Sequence, residues 1–245
     1  MGGSMSRNLA AAGVDITVFD LNVESMKKPV AAGAKAATSG VECVTGADVL
    51  ITMLPTPQAI EGCMIAGGVA AAMKAGSLWI DMSTSVPETA KAVEKALDPS
   101  VRIIDAPVAG MSVGADKGTM SIFAGGNPED FAYAKPLFDI MGDPEKFFNC
   151  GARGTGYAVK LVLIMLWFNS FVATTEALLL GVKAGVDLEV LRQSLIGSPC
   201  NSILLERDIV GMLKDGDYDE GFAVALACKD LRLAGDLARS VGVPM

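Results

Sequence analysis

Residues 77–96 read SLWIDMSTSVPETAKAVEKA, and their parsing decides the fold. Ser77 to Asp81 is a short apolar run with the length and composition of a buried strand. STSVP follows, offering a Ser or Thr to cap a helix. Pro87 to Ala96 reads as that helix. A strand passing at once into a helix is half of a strand–helix–strand unit, and the pattern recurs on both sides. Upstream, Ser4 to Ala12 reads as a helix stopped by Gly13, Ile16 to Phe19 as a strand ending at Asp20, and Val23 to Ala32 as a helix. Val49 to Met53 (VLITM) is a second strand, and Gln58 to Gly62 begins a short helix. Downstream, Arg102 to Ala106 (RIIDA) and Met120 to Ala124 (MSIFA) are strands. This alternation predicts an α/β protein with a doubly wound parallel sheet.

Beyond Gly151 the character changes. From Tyr157 onward the patterns are long and helical: Val159 to Ala184 closed by Gly185, Leu188 to Ile196, and Phe222 to Val241. The glycine-rich GARGTG stretch at 151–156 sets the boundary, giving expected domains of 1–151 and 152–245. The most apolar run, Leu161 to Phe168 (LVLIMLWF), continues uncharged only to Thr175. That falls short of the roughly 18 to 20 apolar residues of a membrane span, so a helix buried on all sides is expected.

Composition narrows the chemistry. The 245 residues carry a formal charge of −8, which removes any general attraction to nucleic-acid phosphates. There is no histidine, so proton transfer falls to Lys, Asp, Glu, Tyr or Cys. The cysteines at 43, 63, 150, 200 and 228 have neither zinc nor thioredoxin-like spacing. With an N-terminus lacking an apolar signal segment, they suggest reduced thiols in a cytoplasm.

A dinucleotide site needs a glycine-rich turn leading into a helix N-terminus. Gly2 stands directly before a helix and suits the third glycine of a G-x-G-x-x-G turn whose first two glycines, with the first strand, would lie upstream of Met1. Asp20 closes the next strand at about the expected 20-residue separation from that first glycine. An acidic group there accepts hydrogen bonds from the adenosine ribose and repels a 2′-phosphate. A plain strand-ending turn explains Asp20 equally well.

Six ordered stretches carry a resemblance. They are Met1-Gly2 with Met5-Ser6-Arg7-Asn8-Leu9; Met53-Leu54-Pro55; Asp81 with Ser83-Thr84 and Pro87; Asp105-Ala106-Pro107-Val108 with Gly114-Ala115 and Gly118-Thr119; Gly154, Gly156 and Lys160; and Lys229-Asp230-Leu231 with Leu233-Ala234. Together they resemble the β-hydroxyacid dehydrogenase family, of the 3-hydroxyisobutyrate dehydrogenase type, across essentially the whole chain. The resemblance implies a Rossmann-type domain, with its first strand missing from this chain, followed by an all-helical domain like that of 6-phosphogluconate dehydrogenase, cut short at its end. It implies NAD as cofactor, with NADP disfavoured by Asp20. Gly2, Asp20, Met53, Leu54, Pro55, Ser83, Thr84 and Lys229 would hold the cofactor, and Lys160 would be the catalytic acid/base, in a cleft between the domains. Partial desolvation beside the apolar run would lower the pKa of Lys160 toward working pH. A lysine snorkelling from a helix start is the alternative. Tyr157, one turn earlier, is the other plausible donor.

Two departures bear on substrate. After Asp105-Ala106-Pro107-Val108 the family usually has Ser-Gly-Gly, and this chain has Ala109-Gly110-Met111. Three and four residues after the lysine the family places asparagines, and this chain has Leu163 and Ile164. Both changes make the substrate pocket more apolar and argue against copying 3-hydroxyisobutyrate as substrate. The expected activity is hydride transfer between nicotinamide and a small β-hydroxyacid or related hydroxy compound. Imine reduction in an apolar pocket and a non-catalytic binding protein on the same fold are the alternatives. A homo-oligomer, most simply a dimer, is expected, because the apolar-rich second domain, only 94 residues from Ala152 to Met245, buries one-sided helices poorly alone. No nucleic-acid, membrane or metal partner is expected.

Overall fold

The structure is a computed structural model that describes residues 1–216 and 222–245. The elements run α1 (Gly2–Ala11), β1 (Thr17–Val18), α2 (Val23–Ala31), β2 (Lys35–Ala36), α3 (Gly40–Val44), β3 (Val49–Thr52) and α4 (Pro57–Glu61). A π-type turn over Gly62–Ala66 leads to α5 (Val69–Ala72), then β4 (Leu78–Asp81), α6 (Pro87–Glu94), β5 (Arg102–Asp105), β6 (Val108–Ala109), α7 (Met111–Lys117) and β7 (Met120–Gly125). There follow α8 (Pro128–Met141), β8 (Gly142–Gly151), α9 (Thr155–Lys183), α10 (Leu188–Ile196), α11 (Val210–Asp215) and α12 (Val224–Ser240). Two compact units result, 1–161 with 232–245 and 162–231. The division falls inside α9, where the change of sequence character falls at Gly151.

In the first unit β3, β4 and β5 are parallel and in register, so that Thr52, Asp81 and Asp105 end their strands side by side. Beyond β5 the expected parallel order gives way to a mixed one. β7 meets β5 and β6 antiparallel, and β8 runs parallel to β7. The reason is length: a parallel crossover takes a dozen or more residues, and only α7 with its short flanks separates β6 from β7. β1 and β2 form a separate two-stranded parallel sheet. All four residues of β4 are buried, as a strand covered on both faces requires. Leu78, Ile80 and Met82 enter one core with Met5, Leu9 and Ile104, while Trp79 enters another with Ile60, Met64, Val93 and Ile103. That alternation is the period of two of an extended chain between two helical layers.

The second unit has a small core in which Leu178, Leu204 and Ile209 are buried against Trp167, Phe171 and Leu191. Here two expectations are corrected. α9 is not buried on all sides: 11% of its most apolar window is buried. Val162, Leu166, Val172, Leu179 and Leu180 are all exposed. At 100° per residue they fall within an arc of less than half the helix surface, which a lone chain leaves uncovered. By length and composition alone α9 is also long and apolar enough to cross a membrane, contrary to the shortfall read from its uncharged run.

Candidate active site at the carboxyl ends of β3, β4 and β5

The site begins with a row of three polar strand ends. Trp79 Nε1 donates to Thr52 Oγ1 (2.9 Å), and the Thr52 hydroxyl donates to Asp81 Oδ1 (2.7 Å). The Ser83 hydroxyl donates to the same oxygen (2.6 Å), and Ser83 Oγ accepts from the Leu54 amide (2.8 Å). The other Asp81 oxygen, Oδ2, accepts the Tyr157 hydroxyl (2.6 Å). Burial raises the Asp81 pKa, against the pull of these hydrogen bonds. Burial, together with the Asp81 carboxylate, holds Tyr157 well above the ordinary phenol value. Tyr157 is thus a buried donor whose hydroxyl is engaged by Asp81.

Asp105 performs a second task one strand along. Its Oδ1 accepts the Gly154 amide (2.6 Å) and its Oδ2 the Tyr157 amide (3.0 Å), so a strand-end carboxylate caps the start of α9 from another element. Burial pushes its pKa up to about 6, and the amides of Gly154 and Tyr157 oppose the rise. Glycine makes the approach possible. A Cβ on Gly156 would sit 2.3 Å from the Phe123 carbonyl oxygen, and one on Gly125 2.7 Å from Asp105 Oδ1. α9 is therefore docked onto the sheet by its first turn, with Lys160 half-buried one turn further on. The neighbouring Leu161 is fully buried.

The other expected residues sort as follows. Gly2 opens α1, and a Cβ there would press on Met53 Cβ at 3.3 Å, which brings Gly2 and the end of β3 together. The N-terminus of α1 has no side-chain cap and no acid in its first turn. Uncapped amides beside two glycines suit the diphosphate of a dinucleotide. Asp20 follows β1, and its Oδ1 accepts the Asn22 amide (2.7 Å), so the turn role is real. Its exposure leaves it compatible with the ribose role as well. Met53 and Leu54 are half-buried and Pro55 exposed. Ser83 is buried with its proton given to Asp81, while Thr84 is half-buried. Ala109 ends β6, Gly110 has φ 135°, and Met111 starts α7 exposed at φ 55°, a left-handed backbone unusual for a residue with a side chain. Ile164 is buried. Lys229, in the second unit, lies 2.6 Å from buried Asp230. The Asn8 amide donates to the Ala115 carbonyl (2.9 Å) and Arg7 donates to the Asp116 carbonyl (2.6 Å), which ties α1 to α7. Among the described residues no cluster of acids and cysteines could hold a metal.

The roles of Asp81, Asp105 and Tyr157 escaped the sequence, although two apolar strands each ending in Asp (LWID and RIID) were a visible signal. A cleft of about 400 Å³ lined by Arg102, Asn127, Pro128, Glu129 and Asp130 lies at the amino end of β5, opposite the edge where ligands of such sheets bind.

The parallel sheet with helices on both faces, and a polar row at its carboxyl edge, define a dinucleotide-binding oxidoreductase fold. Residues 1–154 match the family model described as the NAD binding domain of 6-phosphogluconate dehydrogenase. Residues 154–245 match that described as NAD-binding of NADP-dependent 3-hydroxyisobutyrate dehydrogenase. The chain is 38% identical to a 3-hydroxyisobutyrate dehydrogenase of Pseudomonas aeruginosa, over 98% of this chain and 83% of that one. It is 36% identical to the NAD-dependent L-serine dehydrogenase of the same organism, with the same coverage. A Mycobacterium tuberculosis 3-hydroxyisobutyrate dehydrogenase solved with L-serine superposes with a TM-score of 0.91, at 32% identity over 100% of this chain and 85% of the other. The chain belongs to the β-hydroxyacid dehydrogenase family of oxidoreductases.

Proposed function

We propose that the protein is a NAD-dependent dehydrogenase of a small β-hydroxyacid or a related hydroxy compound, with Lys160 as general acid/base. The observation that carries this reading is the docking of α9 by Asp105 and Tyr157, which sets Lys160 one helical turn from the carboxyl edge of the strands. Gly2 and the α1 amides would take the diphosphate, Met53 to Pro55 the adenosine side, and Ser83 and Thr84 the nicotinamide ribose. Lys229 would be a further cofactor contact. When bound, the cofactor supplies the hydride-accepting group. Lys160 then has one task, to take the substrate hydroxyl proton at Nζ during oxidation or return it during reduction. Ala109, Gly110, Met111 and Ile164 would line the substrate side, where loss of hydroxyl and amide groups favours a less polar substrate than 3-hydroxyisobutyrate. The named relatives act on L-serine and 3-hydroxyisobutyrate, which makes both acids useful probes.

The second family model's description names NADP, yet Asp20 with Leu21 and Asn22 after it offers a carboxylate and no cation to a 2′-phosphate. NAD should therefore be the better cofactor. The test is nicotinamide reduction with L-serine, 3-hydroxyisobutyrate and longer-chain β-hydroxyacids, each with NAD and NADP. Lys160→Ala should lower turnover by about 10²- to 10⁴-fold with NADH affinity nearly unchanged. Equal efficiency with NADP would overturn the cofactor preference. Retention of more than about a tenth of the activity by Lys160→Ala would overturn the proton role. We further propose that the exposed arc of α9 is covered by a second copy of the chain.

A further inference from the structure

We propose that the hydrogen bond from Tyr157 to Asp81 fixes the rotation of α9 about its own axis, making Tyr157 and Asp81 positioning residues for Lys160. The proposal rests on the acid/base reading of Lys160. The two anchors of the helix do different mechanical work. Asp105 receives the amides of Gly154 and Tyr157 at the very start of α9, close to the helix axis. An axial cap resists sliding but offers little leverage against turning. The Tyr157 hydroxyl reaches out from the helix and donates to Asp81 Oδ2 at 2.6 Å. That contact is off-axis and does resist turning.

Asp81 is itself immobilised. Thr52 and Ser83 donate to its Oδ1, Trp79 orients Thr52, and all four residues are buried. The chain of contacts therefore runs from β3 and β4 into the first turn of α9. Lys160 is three residues after Tyr157, on the neighbouring part of the same face. Side chains reach about 5–6 Å from a helix axis, so a rotation of about 10° displaces a tip by about 1 Å. A misplacement of about 1 Å can cost about 10²-fold in rate.

Tyr157→Phe keeps the ring and removes only the off-axis bond. Turnover with NAD of whichever β-hydroxyacid the wild type oxidises best should fall at least about tenfold with KM and NADH affinity changed less than about twofold, a fraction of the misplacement range. In the Lys160→Ala background the same substitution should cost nothing further, since its effect passes through the lysine. A second readout needs no turnover: the ¹³C-methyl resonance of reductively methylated Lys160, assigned by its loss in Lys160→Arg. In Tyr157→Phe it should move toward the position of exposed lysines while the other lysine signals stay. Should Tyr157→Phe fail to fold, Asp81→Leu removes the acceptor instead and should move the Lys160 signal in the same way, with Asp81→Asn as the conservative control. Its amide can donate to the Tyr157 oxygen, so it should keep the Lys160 signal near its wild-type position. An unmoved Lys160 resonance in Tyr157→Phe, or an equal loss of rate with and without Lys160, would overturn the proposal. If Lys160→Ala alone leaves the activity intact, the acid/base reading fails, and the resonance still reports on the positioning.

Discussion

Asp105 carries a proton-linked cost that its neighbours only partly offset. Its pKa in the fold is about 6, raised by burial from an ordinary 3.8. The folded chain therefore holds a proton that the unfolded chain releases between those values. Its stabilising contribution is complete below about pH 4 and is lost as pH rises through 6. Two pKa units correspond to about 3 kcal/mol. Urea unfolding of the wild type and Asp105→Asn at pH 4, 5 and 7 should show the wild type losing about 3 kcal/mol relative to the variant across that range. Parallel pH profiles for the two proteins would refute the assignment. A residue-level reading of the sequence placed Asp105 within a strand, Arg102 to Ala106. It could not identify the cap, because the accepted amide of Gly154 lies 49 positions away. Met111 shows the same limit: its φ of 55° is a property of the turn after Gly110, not of the residue type.

At the scale of elements, the strongly patterned segments were legible and the compensated ones were not. β3, β4 and β5 announce themselves as apolar runs ending in a polar residue. β8 (Gly142–Gly151) carries Pro144, Glu145 and Lys146 and is assigned no element from the sequence. It is a strand because β7 offers it a parallel edge. α8 tolerates Pro136 inside it, although proline ordinarily interrupts a helix. The start of α9 was legible as a glycine-rich joint, but the reason for the glycines was not. Gly156 is required by the Phe123 carbonyl, 2.3 Å from where its Cβ would stand. A backbone oxygen cannot step aside as a flexible side chain can. Gly156→Ala should cost about 2 kcal/mol, or about 4–8 °C in Tm for a chain of this size. It should also lower turnover by lifting the first turn of α9 from Asp105. Calorimetry checks the first effect, and a Tm within 1 °C of wild type, well inside that estimate, would count against it.

For the whole molecule, the uncovered arc of α9 is the surface on which the proposed dimer is tested. Val162, Leu166, Val172, Leu179 and Leu180 are each more than half exposed on one side of α9, with Asn169, Glu176 and Lys183 exposed among them. A second copy burying the same arc would cover it isologously. Light scattering should give twice the monomer mass, and Leu166→Glu should shift it toward the monomer by placing a charge in the buried stripe. A monomeric wild type would rule out the dimer. Protein that leaves the membrane fraction only with detergent would assign the stripe to lipid instead.

The sequence by itself determined the alternation of strands and helices, the family, and the identity of Lys160 as the candidate acid/base. These rest on local periodicity and on short ordered motifs, both carried by neighbouring residues. Only the tertiary structure decided that Thr52, Asp81 and Asp105 stand in one row, that Tyr157 is committed to Asp81 76 positions away, and that α9 is uncovered rather than enclosed. Each of those depends on strand register or on which surfaces meet. A buried carboxylate acquires its partner, and its pKa, only when distant segments exclude water around it.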